Sequence, residues 1–477
     1  MIFPTIEFAA FFAFVLTLSW LLMPWPHAWK PMILAASYVF YGYADARFVL
    51  LLVASTLLNQ AAARGLQRRQ DKRILVAAIA CDLGLLGWFK YYGFFALSVD
   101  QALRDVGLPA PLPLLQVALP IGISFFTFQA ISYVVEVHRG TIVPAPLLDF
   151  AVYEAFFPHL VAGPIVRASE FLPQLTAPRD PRRVPLYRAS LLILGGLAKK
   201  VVLADVLATR LVDPVFAAPG QHSGTEVLAA VYGYAVQIYC DFSAYSDIAI
   251  GLALLLGFRF PNNFDRPYAA RSLQEFWRRW HMTLSRWLRD HVYLPLGGSR
   301  AGRRRTYLNL MITMMLGGLW HGASWTFILW GTLHGGMLAL ERHLRGYRDR
   351  RAHRRRRARR PSRTLWSRDW AARLGAFHFV CATWVFFRAP DLATAGEVFA
   401  RLATAPGPAP LVTPTVLTAI IAGLATAAVP RRWWLALRSG FAQLTVAPQI
   451  VMLTATIMII YHAVGEQTVS PFIYFRF

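Results

Sequence analysis

The stretch YLNLMITMMLGGLWHGASWTFILWGTLHGGMLAL, Tyr307–Leu340, decides how this chain folds. It is apolar almost throughout, yet His321 stands in its middle, within Leu316-Gly317-Gly318-Leu319-Trp320-His321-Gly322. Basic clusters flank it, Arg300–Arg305 before and Arg342–Arg363 after. Basic loops stay on the cytoplasmic side of a membrane, so the 35 residues from Thr306 to Leu340 must enter and return. Two short, kinked or re-entrant helices fit that length, with His321 near the deep turn. Gly317, Gly318, Gly322, Gly331, Gly335 and Gly336 let the two legs approach closely. Trp320, Trp325 and Trp330 are placed to wall a cavity. An ionisable group at membrane depth is costly and reads as functional, and imidazole is suited to moving a proton near neutral pH. A structural buried histidine fits the same spacing.

Composition agrees with a membrane setting. Of 477 residues, 56% are hydrophobic and only 16% charged, too little polar surface for a soluble globule. Apolar windows recur from Ile6–Met23 to Gln449–Ala463, predicting about ten to twelve passes or half-passes. The expected fold is an all-α polytopic membrane protein, with one membrane domain over residues 1–477. Its first apolar stretch lacks a basic leader and a small-residue cleavage site, so it reads as a retained helix. Cys81, Cys240 and Cys381 stand singly in apolar segments. They read as small buried hydrophobes, with neither a metal site nor a disulfide framework.

The net charge of +24 is concentrated: Arg342–Arg363 holds 12 arginines and one acid, Asp349. No folded nucleic-acid module accompanies this loop, so specific nucleic-acid binding is not expected. A cytoplasmic loop attracted to anionic lipid headgroups is the better reading.

Upstream, Arg271–Asp290 patterns as an amphipathic helix. At 100° per residue, Leu273, Phe276, Trp277, Trp280, Leu284, Trp287 and Leu288 form a stripe about 120° wide, with arginines opposite. Such a helix belongs in the cytoplasmic interface, with His281 at the edge of its apolar stripe. A polar cluster, Tyr239–Asp247, interrupts an earlier apolar window. Asp241 and Asp247 within it would bind substrate or hold neighbouring helices. Pro158–Pro164 reads as a re-entrant turn buried in protein.

Seven pieces of this sequence together resemble the membrane-bound O-acyltransferase family, in its bacterial polysaccharide O-acetyltransferase branch. They are Pro158–Arg167 (PHLVAGPIVR), Gln237–Gly251 (QIYCDFSAYSDIAIG), Gly257–Pro267 (GFRFPNNFDRP), Phe276–Gly298 (FWRRWHMTLSRWLRDHVYLPLGG), Asn309–Gly335, Trp384–Ala389 (WVFFRA) and the tail Phe472–Phe477 (FIYFRF). The resemblance runs over most of the chain and is most specific from Gln237 to Gly335.

The resemblance implies acyl transfer in the bacterial inner membrane, with His321 as the essential residue and His281 as the second implicated histidine. Transfer from a thioester to a hydroxyl needs a base, a role for a neutral His321. The oxyanion needs donors, for which indole N–H groups such as that of Trp320, glycine N–H groups and Asn309 are candidates. Arg278 and Arg279 would attract a phosphate-rich donor such as acetyl-CoA or an acyl carrier. No bound cofactor is expected. Tyr474, in the terminal F-I-Y motif, is a candidate acyl relay, with aromatic anchoring at the interface as the plain alternative. A periplasmic acetyltransferase partner of SGNH-hydrolase type is the expected acceptor-side component, and an alginate-like glycan the expected target. D-alanyl or peptidoglycan acyl transfer on the same fold, and a proton-coupled transporter relaying through Asp241, Asp247 and His321, are the rival readings.

Overall fold

The computed structural model describes residues 1–477 except 2, 109–117, 178, 355–364, 405, 446–447, 449–450, 453, 456–457, 459–471 and 474–477. Among the described residues the regular structure is helical and contains no strand. Contacts cluster into two compact units: Met1–Ile193 with Tyr245–Pro261, and Leu194–Ala244 with Asn262–Phe477. The helix Gly224–Leu255 supplies residues to both.

In the first unit, helices Pro26–Gly42, Arg47–Arg69 and Lys72–Leu86 pack on Ile123–His138 and Leu147–Ala155, and Ile6–Leu22 packs on Pro26–Gly42. Ile123 to Val137 is buried at every residue. Polar groups inside this unit are matched to one another. Glu154 accepts hydrogen bonds from Ser55 Oγ at 2.7 Å and Thr56 Oγ1 at 2.6 Å, and Asn59 donates to Asp82 at 2.9 Å. Such pairing is what allows polar side chains to remain where water is excluded. The segment 158–164 is buried: the single helical turn Phe157–Leu160 takes its first half, and irregular backbone follows from Val161.

Apolar side chains on the outer helices are open, including Leu50 at 71% and Phe14 at 67% exposure. On helices of this length and composition those faces meet lipid. Among the described residues, four helices are long and apolar enough to cross a membrane: Arg47–Arg69, Lys72–Asp105, Gly224–Leu255 and Asp369–Arg388. Ile6–Leu22 and Pro414–Ala428 are apolar but shorter. Cys240 and Cys381 are buried as expected, whereas Cys81 is exposed. Its helix lies within Lys72–Asp105, where only 17% of the apolar window is buried, so it stands on an outward face of an apolar span.

The second unit is built on Gly224–Leu255, 94% buried over its apolar window, and on the hairpin formed by Gly302–His321 and Trp325–Arg354. Its chain reversal falls at 322–324. Packing in the hairpin depends on absent side chains. A Cβ on Gly318 would collide with the carbonyl oxygen of Phe327, and one on Gly331 with that of Met314. The arginine-rich segment read as a loop begins as helix, because Trp325–Arg354 continues through its first half. Arginine is a good helix former, and no proline intervenes before Pro361. Residues 355–363 of that segment lie outside the described residues.

Candidate active site

Gly302–His321 ends at His321, 18 residues beyond Arg303, which places the imidazole about 27 Å along the helix from that basic end. The side chain is 2% exposed. Aromatic rings enclose it: Trp330 edge-on at 5.1 Å between centroids, Phe387 at 5.0 Å, Trp320 at 5.0 Å and Phe327 at 6.5 Å. The Trp320 indole also lies 5.7 Å from the ring of His281, so one side chain touches both implicated histidines. Trp330 is fully buried, and its Nε1–H has no acceptor among the described residues.

The segment before the hairpin departs from a continuous amphipathic helix. Two short helices, Leu273–Trp277 and Met282–Leu288, are separated by a break at 278–281. His281 holds the left-handed conformation there, with φ +41°, a strained choice for a side chain other than glycine. All seven residues of the predicted apolar stripe are buried, but in the protein interior. The Met282 N–H bonds to the Asn263 carbonyl at 2.9 Å and fixes the break.

Asn263 also determines the protonation of His281. Its Oδ1 accepts from the Thr283 backbone N–H at 3.2 Å and from Thr283 Oγ1 at 2.9 Å, and lies 3.1 Å from His281 Nδ1. A backbone N–H only donates, so this atom is the amide oxygen. His281 Nδ1 therefore carries the proton. Nε2 keeps its lone pair and has no hydrogen-bond partner among the described residues. Burial holds the pKa of this imidazole well below its ordinary value.

Another buried histidine, His334, escaped the sequence reading. Trp277 Nε1–H donates to its Nδ1 at 3.2 Å, and its Nε2 lies 2.9 Å from Thr383 Oγ1. Thr383 gives its own hydroxyl proton to Val380 O at 2.9 Å, so Nε2 of His334 is the donor. Both ring nitrogens are satisfied, which marks a structural histidine; no spacing rule separates it from His321 in the sequence.

Two cavities are lined by residues of this region, and His321 itself lines neither. The larger, about 780 Å³, is lined by Arg278, Arg286, Arg289, Arg303, Arg342 and Arg345, among others, with Trp277 and Met314 on its wall. Glu341 is the one carboxylate in that lining, and it is engaged, accepting the N–H groups of Leu273 at 2.6 Å and Gln274 at 3.1 Å. The smaller, about 350 Å³, is lined by Gly322, Ser324, Phe327, Phe387 and Ile473, among others. Trp277 packs 5.8 Å from Trp330, which touches His321, while Phe327 and Phe387 touch it from the other side. His321 thus touches the wall of the smaller cavity directly and is one ring removed, through Trp330, from the wall of the larger.

The remaining sequence candidates are distributed. Arg279 is absent from the lining of the larger cavity and is ion-paired with Glu275 at 2.6 Å. Asn309 is buried, donating to Leu296 O at 3.0 Å and Gly298 O at 2.9 Å. It lies 12 residues before His321, about 18 Å along the helix, so it secures the preceding loop and does not reach an oxyanion at His321. Asp241 lies 2.8 Å from Lys200 Nζ and accepts the Ile473 N–H at 2.7 Å. Tyr474 lies outside the described residues.

Comparison with known proteins converges on one family. The model of MBOAT, the membrane-bound O-acyltransferase family, matches residues 8–387. The protein named "Probable alginate O-acetylase AlgI" from Pseudomonas aeruginosa is 41% identical over 375 residues, 77% of this chain and 68% of that one. "Peptidoglycan O-acetyltransferase" from Helicobacter pylori is 35% identical over 403 residues, 77% of this chain and 72% of its own. "Teichoic acid D-alanyltransferase" from Streptococcus thermophilus is 34% identical over 227 residues, 45% of this chain and 55% of its own. With its helical membrane fold and a family match spanning most of its length, this chain belongs to the membrane-bound O-acyltransferase family and is an O-acyltransferase.

Proposed function

We propose that this enzyme carries an acetyl group from a cytoplasmic thioester across the bacterial inner membrane for O-acetylation of an exported, alginate-like polysaccharide. The observation that carries this reading is His321 against the wall of the smaller cavity and, through Trp330, one ring from the wall of a cavity lined by six arginines. The basic cavity faces the arginine-rich side and suits a phosphate-bearing donor such as acetyl-CoA, since guanidinium groups bind phosphate through paired N–H donors. The smaller cavity, at the hairpin turn, is the acceptor side.

In this mechanism neutral His321 takes the proton of the acceptor hydroxyl as its oxygen attacks the thioester carbonyl. The buried Trp330 N–H donates to the tetrahedral oxyanion. Collapse breaks the carbon–sulfur bond, and the imidazolium returns its proton to the departing thiolate. His281, with its Nε2 lone pair held inward, orients the donor by accepting a hydrogen bond. Tyr474 follows directly on cavity-lining Ile473, which favours its phenol as a first acceptor before transfer to the glycan. Acetyl-tyrosine at that position by intact mass, lost in Tyr474→Phe, checks this step; a fully active, unmodified enzyme contradicts it. Final acceptor choice belongs to an exported partner of SGNH-hydrolase type.

Donor kinetics test the proposal. Arg278→Ala with Arg286→Ala is expected to raise the KM for acetyl-CoA about tenfold, the effect of losing charge-assisted contacts to phosphate, with kcat little changed. Unchanged donor KM removes the arginine cavity from the donor path, and dependence on a D-alanyl carrier instead of an acetyl thioester replaces the acetyl reading.

A further inference from the structure

Lys200, Asp205 and Asp241 form an ion cluster inside the second unit. Lys200 Nζ lies 2.8 Å from Asp205 Oδ1 and 2.8 Å from Asp241 Oδ1, and its side chain is 1% exposed. Two carboxylates share one ammonium, an arrangement that apolar residues could replace at little loss if packing were its only use. The second oxygen of Asp241 has a specific task. It accepts the backbone N–H of Ile473 at 2.7 Å across 232 residues of sequence. No apolar side chain can satisfy a buried main-chain donor. Phe472, fully buried, packs its ring 5.7 Å from that of Phe242, the residue after Asp241. Ile473 is 4% exposed and lines the smaller cavity together with Gly322, Phe327 and Phe387.

We infer that Asp241, charge-balanced by Lys200, is a positioning residue that tethers the C-terminal segment as one wall of the acceptor-side cavity next to His321. The inference rests on the reading of that cavity as the acceptor side. The tether acts on the main chain rather than on the Ile473 side chain, so the wall keeps its place whatever apolar residue stands at 473. The bond is charge-assisted and sheltered from water, and therefore among the stronger kinds available. Asp241 touches no reacting atom; it sets where the acceptor hydroxyl meets the imidazole.

The test uses full-length protein in membranes, with Cys81→Ser removing the exposed thiol. Ile473→Pro deletes the N–H and leaves the ion cluster whole, while Asp241→Ala deletes the acceptor. Each is expected to lower kcat about tenfold or more, the effect of losing one charge-assisted hydrogen bond, with donor KM unchanged. The double variant is expected to be no worse than either single one, because both remove the same bond. In an Ile473→Cys background, maleimide labelling is expected to be slow with Asp241 present and at least about tenfold faster with Asp241→Ala. His321→Ala leaves that labelling slow while abolishing transfer, so failure of the base reading and failure of the tether are told apart. Losses that multiply in the double variant overturn the inference, as does labelling indifferent to Asp241. If Asp241→Ala does not fold, Ile473→Pro decides alone, and wild-type kcat in that variant overturns it.

Discussion

His334 and His281 are equally buried, yet their rings are held for different ends. His334 has a donor on one nitrogen and an acceptor on the other, a closed arrangement that fixes Trp277 and Thr383. His281 is fixed on one nitrogen only, by Asn263. Asn263→Ala frees the imidazole to adopt the other tautomer and is expected to lower kcat about 10–100-fold. Acetyl transfer at saturating donor measures this, and a variant as fast as wild type would reduce Asn263 to a loop anchor. Trp330→Phe keeps the ring wall and removes the N–H, with an expected loss of about 10²–10³ in kcat if that hydrogen bond stabilises the oxyanion. A change confined to stability would assign Trp330 to packing. At this scale the sequence distinguishes poorly: His321 and His281 stand out through their motif, but which nitrogen of His281 is protonated depends on Asn263, 18 residues away, and Thr283, two residues on. Asn263 lies within the quoted GFRFPNNFDRP, and nothing local in that string marks it.

The hairpin of Gly302–His321 and Trp325–Arg354 was legible because its two signals are long-range and coarse: basic flanks on both sides and an apolar span long enough to go in and return. The segment Arg271–Asp290 was legible in composition but not in course. Its periodicity correctly picks out the buried residues, yet helical phase cannot report a break made by a tertiary hydrogen bond from Met282 to Asn263. Close approach of the hairpin legs gives a prediction at this scale. Gly331→Val puts methyl groups against the Met314 carbonyl and is expected to destabilise by about 3 kcal/mol or more, an overpacked contact with backbone that cannot yield. Thermal unfolding in detergent checks it; a transition within a degree or two of wild type would mean the legs separate easily.

Within the second unit, charge and chemistry are arranged along the hairpin. The net +24 concentrates in segments flanking the hairpin, six arginines line the larger cavity, and His321 lies at the opposite end of its helix from Arg303. A donor attracted by charge and an acceptor admitted from the far side would meet at that imidazole. The membrane class and the family were readable from composition and motif, whereas the two-unit division and the tail beside Asp241 depend on contacts between residues far apart in sequence. The most direct test of the central claim is transfer of labelled acetyl from acetyl-CoA in membranes carrying wild type or His321→Ala, matched for folded protein. The expected result is transfer in wild type and a loss of about 10²–10⁴-fold in the variant, the contribution of a positioned base. Undiminished transfer in His321→Ala would contradict it and shift the proton-accepting role to His281.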